Sequence, residues 1–370
     1  MKVALVHYWL VGMRGGEKIL EAFCELYPSA DIFTLVADFD RISPTLKSHK
    51  ITTSFLQKIG GVKHYQKMLP LMPMALESFD LTPYDLIISS EAGPAKGIIP
   101  RPDAKHICYC HSPMRYIWDL YPQYYASAGP ITRLGMALTS PWLRSWDVTT
   151  ASRVDHFIAN STYVAKRIER FYRRSSTVIN PPVDISRFSI SDAVEDYYIC
   201  AGQITPYKKI EIAVEAFTRM GKPLVIIGSG ATKALRRRAG PTIKFLGAID
   251  DKAMARYFSR ARALVFPGVE DFGIVPLESL ASGRPVIAFA RGGALETVIE
   301  GKTGMLFHEQ TPEALMASVM KMEECHTSFQ PEALRNFAMR FERSTFLTVL
   351  ENHVNQLIGN VSEPKIVSMA

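Results

Sequence analysis

Two glutamates pose the first chemical question in this sequence. Glu270 and Glu278 have seven residues between them, in the run Phe266-Pro267-Gly268-Val269-Glu270-Asp271-Phe272-Gly273-Ile274-Val275-Pro276-Leu277-Glu278. The apolar stretch Ala263–Phe266 reads as a strand that ends where this run begins. A helix is expected over Pro276–Ser282, because proline suits a first helical position, where its absent N–H has no partner to lose. The unpaired N–H groups and the dipole of a helix start attract an anion. Gly273 lets the backbone approach a ligand closely. A carboxylate beside an anion site is costly unless it engages hydroxyls or cations, and sugar or ribose hydroxyls would answer that. Taken alone, Glu278 reads equally well as a favourable acid in a first helical turn, and Glu270 as a solvated loop charge.

The elements that must hold this loop follow from periodicity. Residues 2–7 form a short apolar run, Arg14-Gly15-Gly16-Glu17 reads as a glycine-rich loop, and Lys18–Tyr27 repeats at helical spacing through Ile19, Leu20, Phe23 and Leu26. Strand, loop and helix in that order open a parallel α/β domain. Asp31–Val36, Asp85–Ser89, His106–Cys110 and His156–Ala159 read as further strands, and Ser161–Tyr172 as a helix capped by Ser161. The paired prolines of Val178-Ile179-Asn180-Pro181-Pro182-Val183-Asp184 can continue neither a helix nor a central strand, so a boundary is expected there. Beyond it, strands are expected at Tyr197–Ala201, Leu224–Ile227, Ile243–Leu246, Ala263–Phe266 and Pro285–Phe289. Helices are expected at Ile210–Thr218, Asp251–Ser259, Pro276–Ser282 and Pro312–Met322, and Ala333–Leu357 is helical in pattern. This is an α/β, doubly wound plan, in which ligands sit at the carboxyl ends of strands.

Composition narrows the class without choosing it. With 370 residues, 47% hydrophobic and 21% charged, the chain is long enough for two packed domains, with disorder expected only after Gly359. The formal charge of +7 favours acidic partners: a phosphorylated substrate, an anionic membrane surface or nucleic acid. Cys24, Cys108, Cys110, Cys200 and Cys325 are odd in number and irregularly spaced, and no secretory signal precedes them, so reduced cytosolic thiols are expected. Cys108-Tyr109-Cys110-His111 has no second ligand pair at zinc spacing, which favours alternation on a buried strand. No run of ~18 apolar residues suggests a membrane span. Residues 110–150 interleave Tyr116, Trp118, Tyr121, Tyr124, Tyr125, Trp142 and Trp146 with Arg115, Arg133 and Arg144. Such a stretch is read either as an irregular helical excursion with its aromatics in a core, or as a surface for a membrane interface, sugars or bases.

The Glu270–Glu278 run resembles the E-x7-E signature of the family-four GT-B glycosyltransferases. The continuation is similar too: Ser282-Gly283-Arg284-Pro285-Val286-Ile287, Gly292-Gly293, Glu296 and Gly301-Lys302-Thr303-Gly304. The likeness is dense over residues 197–307 and extends towards both termini. It implies a GT-B fold of two Rossmann-like doubly wound domains facing across a cleft. Residues 1–177 would form the acceptor-side domain and residues 178–339 the nucleotide-sugar domain, with a C-terminal helix near 340–360 packed back on the first. It further implies that Glu278 binds the donor ribose, that Glu270 lies by the donor sugar, and that backbone N–H groups from Phe272 through Gly273 and Ile274 to Val275 hold sugar and phosphate oxygens. Lys208 matches the second member of the family's basic pair, and Gln203 stands where the first, an arginine, is usual. A departing diphosphate needs positive charge, so Lys209 or Arg14 is expected to compensate. Arg14-Gly15-Gly16-Glu17 resembles the loop that faces the donor phosphates. His111, in His111-Ser112-Pro113, matches a histidine near donor sugar and acceptor. Tyr8 departs from relatives that carry Asp there, so no role is given to it.

The resemblance reaches a subgroup that builds bacterial O-antigen and exopolysaccharide, on Val3–His7, Gly15-Gly16-Glu17-Lys18, Pro206-Tyr207-Lys208 and Gly292-Gly293-Ala294-Leu295-Glu296-Thr297. It implies a retaining mannosyltransferase that takes GDP-mannose as first choice and extends a lipid-linked saccharide acceptor. UDP-sugars are the next choice of donor. No Asp-x-Asp stands where a metal would hold the diphosphate, so no metal and no cofactor are expected. Nor is nucleic acid a partner. The implied location is cytoplasmic, peripheral on the inner face of the bacterial cell membrane. His111 and Glu270 would stabilise oxocarbenium charge. The rivals are a nucleotide-sugar epimerase, a membrane-associated partner subunit with weak turnover, and a Rossmann oxidoreductase. Gly228-Ser229-Gly230 supports the last poorly, because Lys233 occupies the third glycine position of G-x-G-x-x-G.

Overall fold

β1 (Val3–His7) is buried at every residue, as a strand covered on both faces must be. A computed structural model describes residues 1–359; the expectation of disorder after Gly359 lies outside these described residues. β1 opens a seven-stranded sheet with β2 (Asp31–Thr34), β3 (Ile51–Thr53), β4 (Leu86–Glu91), β5 (Lys105–Cys110), β6 (His156–Ala159) and β7 (Ser176–Val178), in the order β3-β2-β1-β4-β5-β6-β7. A six-stranded sheet holds β8 (Tyr198–Ala201), β9 (Leu224–Ile227), β10 (Ile243–Gly247), β11 (Leu264–Phe266), β12 (Val286–Phe289) and β13 (Gly304–Phe307), in the order β10-β9-β8-β11-β12-β13. β1 pairs in parallel with β2 and β4, and β8 with β9 and β11, so each sheet reverses its winding at its first strand. That is the doubly wound arrangement expected, with its switch point beside β1 in one sheet and β8 in the other.

By packing, the chain forms two units. One comprises residues 1–109, 149–157 and the chain from Arg343; the other comprises 110–148 and 158–342. In the first, the helix Arg343–Gly359 lies against the first helix: Phe346 meets the Tyr109 ring edge-on at 6.0 Å, and Arg343 pairs with Glu25 at 2.6 Å. In the second, the apolar core runs from Val183 through the strands of the six-stranded sheet to Ala338, and Val183 N–H donates to the Phe341 carbonyl at 2.8 Å.

Local chemistry sets the boundaries. Ser161 caps the helix Thr162–Tyr172 as expected, accepting from Val164 N–H at 3.0 Å. Asp250 and Thr311 cap the helices Asp251–Arg260 and Pro312–Glu324 in the same way. Several expectations need correction. The first helix begins at Gly15, not Lys18, because Arg14 is extended and its N–H is held by the Glu17 carboxylate at 3.0 Å, which closes the first turn over the two glycines. Ala333–Leu357 is not one helix but two, Pro331–Met339 and Arg343–Gly359, separated where Val183 pairs with Phe341. β3, β7 and β13 are short strands that periodicity alone did not single out.

Residues 110–150 contain a helix of 21 residues, Pro130–Thr150. Some aromatics before it are packed: Trp118 stacks on Phe171 at 4.8 Å and its indole N–H donates to Asp147 at 2.7 Å. One face of the helix carries Leu143, Ser140 and Asp147 into the unit. The opposite face leaves Ile131, Leu134, Leu138 and Trp142 exposed. The stretch is therefore part core and part apolar surface.

Candidate functional site

β11 ends at Phe266, and the chain enters the loop that carries Glu270. The following helix is Ile274–Ala281, so it starts two residues before Pro276 and Glu278 falls in its second turn rather than its first. Gly273 decides this start. Its φ of +90° turns the chain from loop to helix in a conformation that a side chain disfavours, and as N-cap it supplies no side-chain hydrogen bond. No helical carbonyl satisfies the Ile274 and Val275 N–H groups, as at any helix start. Phe272 is buried under the loop.

The loop after β8 brings the cation. Lys208 ends a short helical turn, Pro206–Lys208, and its Nζ lies 2.9 Å from Glu270 Oε1. The contact is electrostatic: its angles leave Glu270 Oε1 buried without a directed hydrogen bond. Burial disfavours the ammonium, but Glu270 more than offsets this, and the Lys208 pKa is raised. Gly202 makes room for the side chain, since a Cβ there would stand 2.7 Å from Lys208 Nζ. Burial pushes Glu278 up to about 7, with Arg187 and Lys208 drawing it down and Asp251 adding to the rise. Lys208 thus acts on both glutamates of the run. Gln203 is exposed, and Lys209 points its ammonium to Glu211 at 3.6 Å.

His111 is the first residue beyond β5, at the carboxyl end expected of it. Burial holds its imidazole down to about 4, so it is neutral at pH 7. Its neighbour Ser112 leads to a group of residues that the motif reading did not anticipate. The Asp271 carboxylate accepts from Ser112 Oγ at 3.2 Å and from Arg167 Nη1 at 3.1 Å, and pairs with Arg115 Nη2 at 2.5 Å. Its backbone carbonyl accepts from Ser161 Oγ at 2.5 Å. Arg167 also bridges to Asp119 at 2.5 Å, and the Arg115 guanidinium lies 5.2 Å from the Tyr207 ring centroid. Burial would lower the pKa of Arg115, and Asp271 more than restores it. Arg115, Asp119, Arg167, Tyr207 and Asp271 border a cavity of about 200 Å³ that Lys209 and Arg291 also line. The only sequence signals were the position of Asp271 beside Glu270 and the basic aromatic stretch containing Arg115.

Glu296, of the Gly-Gly-Ala-Leu-Glu run, accepts from Thr162 N–H at 2.7 Å and from Asn180 Nδ2 at 2.9 Å. It anchors a helix start and the Asn180-Pro181-Pro182 connection. Arg14, Gly15 and Gly16 form the N-cap and first turn of their helix in the other unit. Within the second unit, Lys208, Glu270, Glu278 and the helix start come together around one loop, and Asp271 ties that loop to the segment that follows His111.

The chain is similar to known proteins over most of its length. Residues 184–339 match the family described as Glycosyl transferases group 1, and residues 15–187 match Glycosyltransferase Family 4. A D-inositol 3-phosphate glycosyltransferase of Streptomyces avermitilis is 28% identical over 204 residues, 45% of this chain and 44% of that protein. The chain thus spans under half the length of the first curated relatives it matches. An O-antigen chain mannosyltransferase C of Escherichia coli is 22% identical over 90% of this chain and 91% of its own length. A GDP-mannose-dependent alpha-mannosyltransferase of Mycolicibacterium smegmatis is 30% identical over 48% of this chain and 51% of that protein. Among solved structures, a sucrose-phosphate synthase from Thermosynechococcus elongatus superposes with a TM-score of 0.69 at 19% identity, covering 97% of this chain and 100% of that one. Anabaena HepE in complex with UDP does so at 0.71 and 16%, covering 96% and 100%. At such identities these structures speak to the fold.

Proposed function

This chain belongs to the group 1/family 4 glycosyltransferases of the GT-B fold, and from that premise we propose that it transfers a hexose, mannose from GDP-mannose, to a saccharide acceptor with retention at the anomeric carbon. The observation that carries the reading is one cation acting on two carboxylates at an open helix start: Lys208 2.9 Å from Glu270, with Glu278 under its influence. The diphosphate takes the Ile274 and Val275 N–H groups and Lys208. Glu278 accepts from the ribose hydroxyls. Glu270, with Oε1 free of a directed hydrogen bond, takes a sugar hydroxyl. Fixed charge and dipoles aimed at a developing charge are the largest single source of rate in such sites.

In the transfer, the bond between the anomeric carbon and the phosphate oxygen breaks. The acceptor oxygen bonds to that carbon on the same face, and its proton passes to the departing diphosphate. The neutral His111 imidazole and the Glu270 carboxylate stabilise the oxocarbenium charge between the two events. The donor phosphates are held by Lys208 and backbone donors, and the reaction runs without a metal. Two relatives support mannose: one is named for mannosyl transfer to O-antigen chains and one for GDP-mannose. The acceptor is lipid-linked, and the protein works peripherally at an anionic membrane; no helix among the described residues is long and apolar enough to cross one.

Thermal unfolding with GDP-mannose, UDP-glucose, UDP-N-acetylglucosamine and GDP, without added metal, tests the donor. A ligand at 100 times its Kd stabilises by ~2.7 kcal/mol. GDP-mannose should raise Tm in the native protein and not in Glu278→Ala. A rise with the UDP sugars alone replaces the donor, and no rise with any of them removes the reading. Retention is read from the anomeric configuration of the product by NMR.

A further inference from the structure

We propose that residues 41–76 form the surface by which this protein docks on an anionic lipid bilayer. This segment contains Arg41, Lys47, Lys50, Lys58, Lys63 and Lys67, and neither Asp nor Glu. Six of the chain's net seven positive charges therefore sit in one stretch, and the rest of the protein is almost balanced.

The fold turns this charge outward together with apolar side chains. The segment runs through β3 and a series of short helical turns, Phe55–Gln57, Gly61–His64 and Tyr65–Leu71, that pack one on the next, and into the helix Met72–Glu77, whose last residue, Glu77, lies outside the segment and pairs with Arg153 at 2.8 Å. Its inner residues are committed: Leu56, Met72, Ala75 and Leu76 are buried, Gln57 clasps both backbone groups of Ala37 at 2.9 Å, and Tyr65 rests on Trp9 at 4.7 Å. Phe55, Ile59, Leu71 and Met74 are left exposed, Ile59 at 54% and Met74 at 62%, alongside the exposed Lys58, Lys63, His64 and Lys67. Lysines interleaved with unused aliphatic side chains fit the boundary between phospholipid headgroups and acyl chains. A bound nucleic acid would answer the lysines but give Ile59, Leu71 and Met74 nothing to stack on. The charge complementarity and the aliphatic content together select the lipid surface.

The inference rests on the proposal of a lipid-linked acceptor for its purpose, but its measurement needs neither donor nor acceptor. Full-chain protein is sedimented with vesicles of phosphatidylcholine and with vesicles of an equal mixture of phosphatidylcholine and phosphatidylglycerol. Binding is expected only to the mixed vesicles and should weaken with salt. The combined variant Lys58→Glu, Lys63→Glu, Lys67→Glu should lower partitioning about 100-fold. Ile59→Ser with Met74→Ser should lower it as well, which a purely electrostatic attraction would not show. Leu134→Ser with Leu138→Ser, on the exposed helix of the other unit, should leave it unchanged. All three variants should keep the donor-dependent Tm shift, so a failed donor reading and a failed docking reading are told apart. Wild-type binding by the lysine variant overturns the proposal. So does loss of binding in the Leu134/Leu138 variant alone, or an affinity for single-stranded RNA that matches that for the mixed vesicles.

Discussion

Lys208 Nζ lies 2.9 Å from Glu270 Oε1, so the cation that we propose for the donor diphosphate is held by the first acid of the motif. Both side chains are mostly buried, and neither charge is left alone in a region of low dielectric. On the proposed reading, a diphosphate arriving at the helix start competes for that lysine and frees Glu270 for a sugar hydroxyl. Lys208→Ala should therefore lower kcat/KM by about 100- to 1000-fold, the usual loss of a preorganised charge donor. Steady-state transfer rates check it, with Lys208→Arg keeping part of the activity. An unchanged rate would place the leaving-group charge on another residue.

Glu278 carries a pH signature. Burial raises its pKa to about 7, above that of an unfolded carboxyl. The native state therefore holds a proton that the unfolded state has lost, and the stability this contributes, full at low pH, falls as pH rises to about 7. On the proposed reading, ribose hydroxyls donate to the ionised form, so donor binding expels the proton. Donor affinity measured by calorimetry should rise from about pH 6 to about pH 8 and then level. Glu278→Gln should bind weakly with no such rise; a flat profile in the native protein would show that Glu278 is not the ribose acceptor.

Asp271 joins the buried Arg167 guanidinium and the half-buried one of Arg115 to Ser112 beside His111. Asp271→Ala leaves Arg115 without its carboxylate and Arg167 with Asp119 alone. A loss of about 3 kcal/mol is expected, as for other buried pairs that lose one partner. Denaturant titration of the variant checks this. Asp271→Asn should recover part of the stability, because the amide oxygen still accepts from Ser112.

Gln203 is exposed at the end of β8, where the resemblance leads one to expect a second cation. Gln203→Arg should raise kcat about 10-fold by adding charge near the leaving diphosphate. A transfer assay at saturating donor reads this directly. No change would mean that the cations already present suffice.

The doubly wound plan was legible because it depends on short-range pattern. The all-buried run of β1, the Ser161 cap and the strand–loop–helix around Glu270 each announce themselves within a few residues. Errors fell where a longer-range contact or a backbone angle overrides that pattern. The first helix takes in Gly15 and Gly16 because the Glu17 carboxylate closes its start. The helix after β11 starts ahead of Pro276 because Gly273 adopts a positive φ. The C-terminal helix divides where Val183 pairs with Phe341.

What the sequence determined by itself was the set of chemical parts and the strand ends that carry them: Glu270, Glu278, Lys208 and His111, each at or after the carboxyl end of a strand. Periodicity and turn chemistry act over neighbouring residues, so they suffice for that. Only the tertiary structure decided which parts touch. Asp271 reaches Arg167 across 104 residues and Ser112 across 159, and Lys208 meets Glu270 across the gap between two loops. No local pattern encodes such pairings, because they arise when sheet order brings separate strand ends side by side and burial then requires each charge to find a partner.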